Sequence, residues 1–323
     1  MDITAARVTV PSSPPGSPPG SPPGSSPGAA QGAVARRRNY ARQYWPFIVP
    51  AGAAVAAVIL FPWAFTLFMA VHEWPMGGER SFVGFDNFIR MGHDARFGWA
   101  ALRTLYFTAA SVFFPTVLGV AAAVCFHRNF PGRGLARTIF IMPMMATPVA
   151  IALVWTMMFH PQLGVLNYLL TSVGLPPSTW VYAPSTVIPT LVLVETWQWT
   201  PLVMLIVLGG LASLPTDPYE AAVLDGARPW QVFWHVTLPL VWPFILVAAV
   251  IRGVDALKAF DTIFVISNGG PGTSSETLNI LLYLEAFNFY DLGYASAIVI
   301  VFFVLILMVT LLMLWFRQKG RLV

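Results

Sequence analysis

Long runs of apolar residues limit the folds that this sequence can adopt. A helix needs about 20 residues to cross the hydrocarbon core of a bilayer, and charged residues make up only 10% of the chain, against about 25% in soluble domains. The sequence therefore predicts an all-α polytopic membrane protein with six transmembrane helices. The six runs lie near Phe47–Val71, Thr104–Phe126, Thr138–Phe159, Thr186–Leu211, Val241–Ile266 and Leu292–Phe316.

The basic residues are unevenly distributed over the loops between these runs. If both termini are cytoplasmic, only four of the 18 arginine and lysine residues lie in outer loops. The positive-inside rule therefore favours both termini in the cytoplasm. The chain has a net charge of +4, but its basic residues lie mostly at the ends of the runs, which indicates topology rather than a nucleic-acid surface. The sequence therefore predicts contact with a membrane and no nucleic-acid partner.

The N-terminal segment differs in composition from the rest of the chain. Residues 11–28 consist entirely of Pro, Ser and Gly, and Arg36, Arg37 and Arg38 follow. Such a segment has too few apolar side chains to form a core. We therefore expect a disordered cytoplasmic tail with a basic end over residues 1–43 and a six-helix domain over residues 44–323. No signal peptide is expected, because the first apolar run is too long.

An amphipathic segment, Tyr219–Pro239, separates the fourth and fifth runs. Glu220-Ala221-Ala222 favours helix, Gly226 suits a bend that requires positive φ, and Pro229 suits a first helical turn. The pattern predicts a hairpin of two short helices, with a stop at Pro239. An apolar face on the second helix is formed by Trp230, Phe233, Trp234, Val236 and Leu238.

This segment resembles the EAA signature of the membrane subunits of binding-protein-dependent ABC importers. Glu220-Ala221-Ala222, Gly226 and Val236-Thr237-Leu238-Pro239 match that signature in letters and spacing, except that isoleucine is usual at position 236. The resemblance implies that residues from about 214 to 240 form a cytoplasmic coupling loop that docks on an ATPase subunit. The implied coupling residues are Glu220, Ala221, Ala222, Asp225, Gly226, Trp230, Phe233, Leu238 and Pro239.

Charged residues interrupt the fifth run. Its apolar part, residues 240–251, would form only about 18 Å of helix, so the helix is expected to continue through the charged positions. Their spacing of three places neighbours on one face, where they can pair. They either line a translocation path or form a structural stripe against a partner. Their charges cancel, which favours a neutral solute over an ion. The residues are Arg252, Asp255, Lys258 and Asp261.

The fourth run contains an unusual group of polar and aromatic residues, Glu195, Trp197, Gln198 and Trp199, followed by Pro201. Aromatic faces can stack on sugar rings, and the carboxylate and amide can hydrogen-bond hydroxyl groups. The group therefore predicts part of a solute path. A kinked helix whose tryptophans face lipid or a neighbour is the alternative.

Two further stretches resemble the carbohydrate-uptake (MalF/UgpA-like) branch of the same family. Phe82–Phe88, in the first outer loop, also has the aromatics of a membrane-surface segment. Phe260–Leu278 contains the predicted turn Asn268-Gly269-Gly270-Pro271, and Asn268 is a further candidate for the path. The branch resemblance implies alternating-access transport of a sugar or polyol across a bacterial inner membrane. The implied partners are two ATPase subunits, a second homologous permease and an extracytoplasmic solute-binding protein.

The chain has two lysines, Lys258 and Lys319, and neither completes a nucleotide-binding P-loop. We therefore expect no catalytic site, no metal and no cofactor in this chain, with ATP and Mg²⁺ bound by the partner ATPase. A secondary transporter, driven by an ion gradient through Glu195 or Asp261, remains the alternative.

Overall fold

The computed structural model describes residues 27–74 and 78–319, with side chains over 44–74 and 78–315. Nearly all of the regular structure in these residues is helical. The helices are α1 (Pro27–Ala70), α2 (Asp86–His93), α3 (Ala95–His127), α4 (Arg133–Met145), α5 (Pro148–Met158), α6 (Val165–Ser172), α7 (Val187–Ala212), α8 (Asp217–Leu224), α9 (Pro229–Val232), α10 (Leu238–Leu257), α11 (Asp261–Ser267), α12 (Leu278–Tyr283) and α13 (Leu292–Lys319).

Shorter elements connect some of these helices. Two π-helical turns, Phe233–Thr237 and Leu284–Asn288, precede α10 and follow α12. A 3-10 turn covers Trp180–Tyr182. Strands β1 (His72–Glu73) and β2 (Ser81–Phe82) pair antiparallel between α1 and α2, with His72 opposite Phe82.

The prediction of six membrane-crossing segments is confirmed, although the third segment is not a single helix. Within the described residues, five helical segments are long and apolar enough to cross a bilayer, and α4 with α5 supplies the sixth as a pair bent by 97°. The break precedes Pro148, where Ala146 and Thr147 are extended. A residue before proline is disfavoured in helical conformation, so the sequence itself explains the bend.

The predicted extent of the fifth span is wrong. The helix ends at Leu257, and α11 restarts only at Asp261. The chain does not need residues 258–266 to cross the bilayer, because α9, the π-turn and α10 form one helical segment, Pro229–Leu257, of 29 residues. The predicted stop at Pro239 is wrong for the same reason.

The first helix begins at Pro27, inside the segment expected to be a disordered tail over residues 1–43. Residues 29–43 are rich in alanine and arginine, which are strong helix formers. The expectation for residues 1–26 lies outside the described residues.

The core of residues 62–323 is built around α3 and α7. Phe107 on α3 lies in one buried cluster with Val187 and Leu191 at the start of α7, whereas Val120 lies in a second cluster with Val203. The two helices therefore run in the same direction. Gly119 permits their close approach, since a Cβ at this position would lie 2.6 Å from Cβ of Val203.

A polar network joins the beginning of α3 to the segments around α12, at the end of α3 opposite the hairpin. The Arg96 guanidinium donates two hydrogen bonds to the Glu276 carboxylate, at 2.8 and 3.0 Å, and one to Glu285 at 3.0 Å. The Tyr294 hydroxyl donates to Asp94 at 2.6 Å. With the Arg90–Asp291 ion pair at 2.6 Å, these residues form what we call the rim network.

Candidate coupling loop and buried polar pair

The loop after α8 has the geometry of a helix end that only glycine or asparagine adopts easily. Gly226 has φ +71°, and its N–H donates to the Val223 carbonyl at 3.0 Å. The N–H of Ala227 donates to the Ala222 carbonyl at 2.9 Å. This pair of bonds is the Schellman motif. The prediction that Gly226 bends the chain is therefore confirmed.

The second half of the hairpin is continuous with the fifth span. Pro229 opens α9, and the backbone N–H of Arg228 donates to Oε1 of Gln231 at 2.8 Å. The π-turn Phe233–Thr237 then leads directly into α10. A π-turn widens the helix, and Pro239 follows it in the first turn of α10, where proline is tolerated. The helix therefore continues through a position that the sequence indicated as a stop.

Most of the predicted coupling residues are exposed in this chain. Glu220, Ala221, Asp225, Gly226, Trp230 and Pro239 are exposed, whereas Ala222 is buried and Phe233 and Leu238 are half-buried. Phe233 and Leu238 pack against the cluster that contains Val203. These two side chains therefore hold the hairpin to its own domain.

Sequence reasoning did not single out the most exposed apolar residues of the hairpin. Val223 and Leu224 are 72% and 88% exposed, and Trp230 is 58% exposed. Residues 223 and 224 directly follow the Glu220-Ala221-Ala222 run. Their signal was two consecutive apolar residues at the end of a short helix whose first turn is acidic.

The polar residues of the fourth and fifth spans form a buried ion pair. Nη2 of Arg252 donates to Oε2 of Glu195 at 2.9 Å, and both side chains are buried. The guanidinium also lies 4.9 Å from the ring centroid of Trp199, within cation–π range. The pair links α7 to α10.

The predicted pairing along the fifth span is wrong. Asp255, Lys258 and Asp261 are exposed, and none of them forms an ion pair within the described residues. The helix break between Leu257 and Asp261 removes the regular spacing of three. Arg252 pairs instead with a residue 57 positions earlier in the sequence.

The remaining predicted path residues lie in different environments. Gln198 is buried, and its Oε1 has no hydrogen-bond partner within the described residues. Trp197 is exposed on another face of α7 and stacks edge-on with Trp155, with 5.6 Å between ring centroids. Asn268 is exposed and ends α11 with φ 49°. The prediction of a turn at Asn268 is confirmed.

A large groove lies between α3, α4, α5 and α7. It has a volume of about 970 Å³ and is lined mainly by apolar and aromatic side chains, among them Tyr106, Phe114, Phe140, Trp155 and Trp197. Of the predicted path residues, Trp197 alone lines this groove. Glu195 and Arg252 are instead buried between α7 and α10.

A family model described as "Binding-protein-dependent transport system inner membrane component" matches residues 116–321. The matched region contains the hairpin, the buried pair and the last four spans. The chain belongs to this family. It is therefore an inner-membrane permease component of ABC importers.

Curated relatives include several permeases from ABC systems. "Probable ABC transporter permease protein y4oQ" of Sinorhizobium fredii is 34% identical over 289 residues, which cover 88% of this chain and 93% of that protein. The "Trehalose/maltose transport system permease protein MalF" of Thermococcus litoralis is 34% identical over 278 residues, 85% of this chain and 92% of that protein. The "Trehalose transport system permease protein SugA" of Mycobacterium tuberculosis is 34% identical over 259 residues, which cover 79% of this chain and 82% of that protein.

Solved structures share the fold. A chain of a bacterial ABC transporter involved in the import of the acidic polysaccharide alginate aligns with a TM-score of 0.76 at 22% identity, covering 88% of this chain and 99% of that chain. A second structure shows the bacterial alginate transporter with an alginate pentasaccharide-bound periplasmic protein, with a TM-score of 0.72 at 23% identity.

Proposed function

We propose that this chain is a permease subunit of an ATP-driven, binding-protein-dependent importer that carries a sugar or a related polyol by alternating access. The observation that carries the proposal is the continuity of the hairpin with the fifth span.

The energy comes from a separate ATPase dimer, which binds ATP and Mg²⁺. Exposed Val223, Leu224 and Trp230 offer an apolar contact to a cleft of the ATPase, and exposed Glu220 and Asp225 offer polar contacts. The family membership of the chain supports this docking. Two ATPase subunits, a second homologous permease and an extracytoplasmic solute-binding protein complete the assembly.

Movement passes from the hairpin into the membrane through one rigid element. Trp230 lies in the first turn of a helical segment that continues to Leu257. A displacement of the hairpin therefore shifts α10, which carries Arg252 and thereby pulls on Glu195 of α7. Helices that rock around a site within the membrane are a general form of alternating access.

The solute is a neutral carbohydrate or polyol. Relatives named for trehalose and maltose transport support this class. Trp155 and Trp197 in the groove offer aromatic faces of the kind on which sugar rings stack. The charges of Glu195 and Arg252 cancel within their ion pair, which also favours a neutral solute.

Purification of the C-terminally tagged chain from gently solubilised membranes tests the assembly. We expect an ATPase and a second permease of similar size to co-purify. In proteoliposomes that contain this assembly and its binding protein, uptake should require internal ATP and should persist when ionophores collapse the ion gradients. If the chain purifies alone and uptake stops with ionophores, the proposal is wrong and ion-gradient transport through Glu195 replaces it.

A further inference from the structure

The segment between α1 and α3 presents an apolar surface that its own chain does not cover. Phe82, Phe85 and Ile89 are 73%, 73% and 59% exposed. Phe85 and Ile89 are four residues apart and therefore share one face of the helix. Asn87 and Met91 bury a different face of α2. The helix is therefore amphipathic, with an apolar face turned away from the core.

Hydrogen bonds fix the position of α2 along the axis of the membrane. Nδ2 of Asn87 donates to the Ala70 carbonyl at 2.9 Å and to the His72 carbonyl at 3.1 Å. Ala70 is the last residue of α1. A Cβ on Gly293, in the first turn of α13, would clash with the same His72 carbonyl. Two membrane-crossing helices therefore end or begin at the level of α2.

The apolar surface of α2 is continuous with the last turn of α1. Phe68, in the last turn of α1, stacks on His72 with 4.0 Å between ring centroids, and His72 contacts Phe82 edge-on at 5.3 Å. Arg80 lies 5.2 Å from the Phe68 ring. Aromatic and basic residues at the end of a span are typical of the membrane–water boundary. The surface that surrounds α1 in its native setting is a bilayer, so lipid is the occupant that this continuity favours.

We propose that β2 and α2 form an interfacial membrane anchor, in which Phe82, Phe85 and Ile89 enter the headgroup–acyl boundary of the outer leaflet. Amphipathic helices of this kind insert by about 5–10 Å. The exposed polar residues Asp86 and Arg90, which are four residues apart and share a different face, remain on the water side. The anchor is separate from the solute path, so the proposal does not depend on which solute is transported.

The anchor is also attached to the last span. Arg90 on α2 pairs with Asp291 at 2.6 Å, and its guanidinium lies 4.2 Å from the ring centroid of Tyr294 on α13. Through these contacts and the Asn87 bonds, α2 holds the outer ends of α1 and α13 at the bilayer surface. The outer ends of these two spans therefore stay fixed while the hairpin moves.

Spin labels test the depth of α2 in the full chain, reconstituted into lipid nanodiscs together with its co-purifying subunits. Cys125 is the sole cysteine of the chain, so Cys125→Ser gives a background for single labels. Labels at Phe85→Cys and Ile89→Cys should collide with oxygen more often than with a water-soluble nickel chelate. The matched control, Asp86→Cys, is exposed on the polar side of the same short helix, about 100° around the helix from Phe85, and should show the reverse preference.

Two results would overturn the anchor. If labels at positions 85 and 89 are as accessible to nickel as the label at 86, this face of α2 is in water. If both labels are shielded from nickel and from oxygen, another protein covers the face. The labelled positions are exposed, so the substitutions leave the core intact. The accessibilities therefore report the position of α2 rather than misfolding.

Discussion

The rim and the hairpin, at opposite ends of the membrane domain, differ in how their residues are stabilised. At the rim, Arg96 makes three hydrogen bonds to Glu276 and Glu285, both of which are buried. Burial raises the pKa of Glu285, and the Arg96 charge partly offsets this shift. At the hairpin, the most exposed apolar side chains, Val223 and Leu224, point away from the core.

This difference indicates which end moves. A segment with many internal polar contacts is costly to rearrange, because each broken contact leaves a buried group unpaired. A segment with exposed apolar residues gains stability only when a partner covers them. We therefore expect the rim to be the static end of the subunit and the hairpin to be the end on which a partner acts.

The largest expected effect concerns the buried pair that links α7 to α10, Glu195 and Arg252. Either Glu195→Leu or Arg252→Met alone leaves a buried charge unpaired and should lower the free energy of unfolding by about 3–5 kcal/mol. The double variant should be more stable than either single variant, as measured by thermal unfolding in detergent. If the double variant folds but loses uptake, the pair is needed for transport; if uptake is retained, the pair is structural. Additive destabilisation would contradict the direct coupling of the two side chains.

A smaller effect is expected at the rim. Arg96→Ala should cost about 1–3 kcal/mol, since it leaves the buried carboxylate of Glu276 without its ion-pair partner. The matched control is Arg90→Ala, because its pair with Asp291 is largely exposed and exposed pairs contribute about 0–1 kcal/mol. Equal losses of stability in the two variants would show that the rim is not held by its buried contacts.

The smallest effect on stability is expected at the tip of the hairpin. Trp230→Ser should change the free energy of unfolding by less than about 0.5 kcal/mol, because the side chain is exposed, yet it should weaken co-purification of the ATPase. Phe233→Ser is the control, since Phe233 packs on its own domain and its loss should cost about 1–3 kcal/mol. Undiminished recovery of the ATPase with Trp230→Ser would remove this residue from the docking surface.

Features set by local sequence were predictable. Apolar runs of sufficient length predicted the spans, the glycine at 226 predicted the bend, and Asn268-Gly269 predicted the end of α11. The break before Pro148 also has a local cause, the restriction of residues before proline.

Features set by contacts between distant residues were not predictable. Arg252 has three charged neighbours in sequence, and only the packing of α10 against α7 brings Glu195 within 2.9 Å. The rim network joins residues about 180–200 positions apart, and periodicity carries no information on such pairs. The extent of the fifth span was mispredicted because the hairpin supplied helix length that the apolar run alone did not reveal.

The central claim is that the hairpin transmits the movement driven by ATP hydrolysis to the membrane helices. Substitution of Gly226 tests this claim most directly. The Cβ of a substituted residue would meet open space at this position, so a substitution affects only the backbone conformation. The left-handed conformation costs a non-glycine residue about 1–2 kcal/mol. Asparagine tolerates positive φ better than valine does. Gly226→Asn is therefore the matched control for Gly226→Val.

The measurement is the amount of solute taken up per ATP hydrolysed by the reconstituted importer. We expect Gly226→Val to hydrolyse ATP while its uptake per ATP falls at least tenfold, and Gly226→Asn to stay close to the wild type. Wild-type uptake per ATP in Gly226→Val would contradict the role of the hairpin as the coupling element.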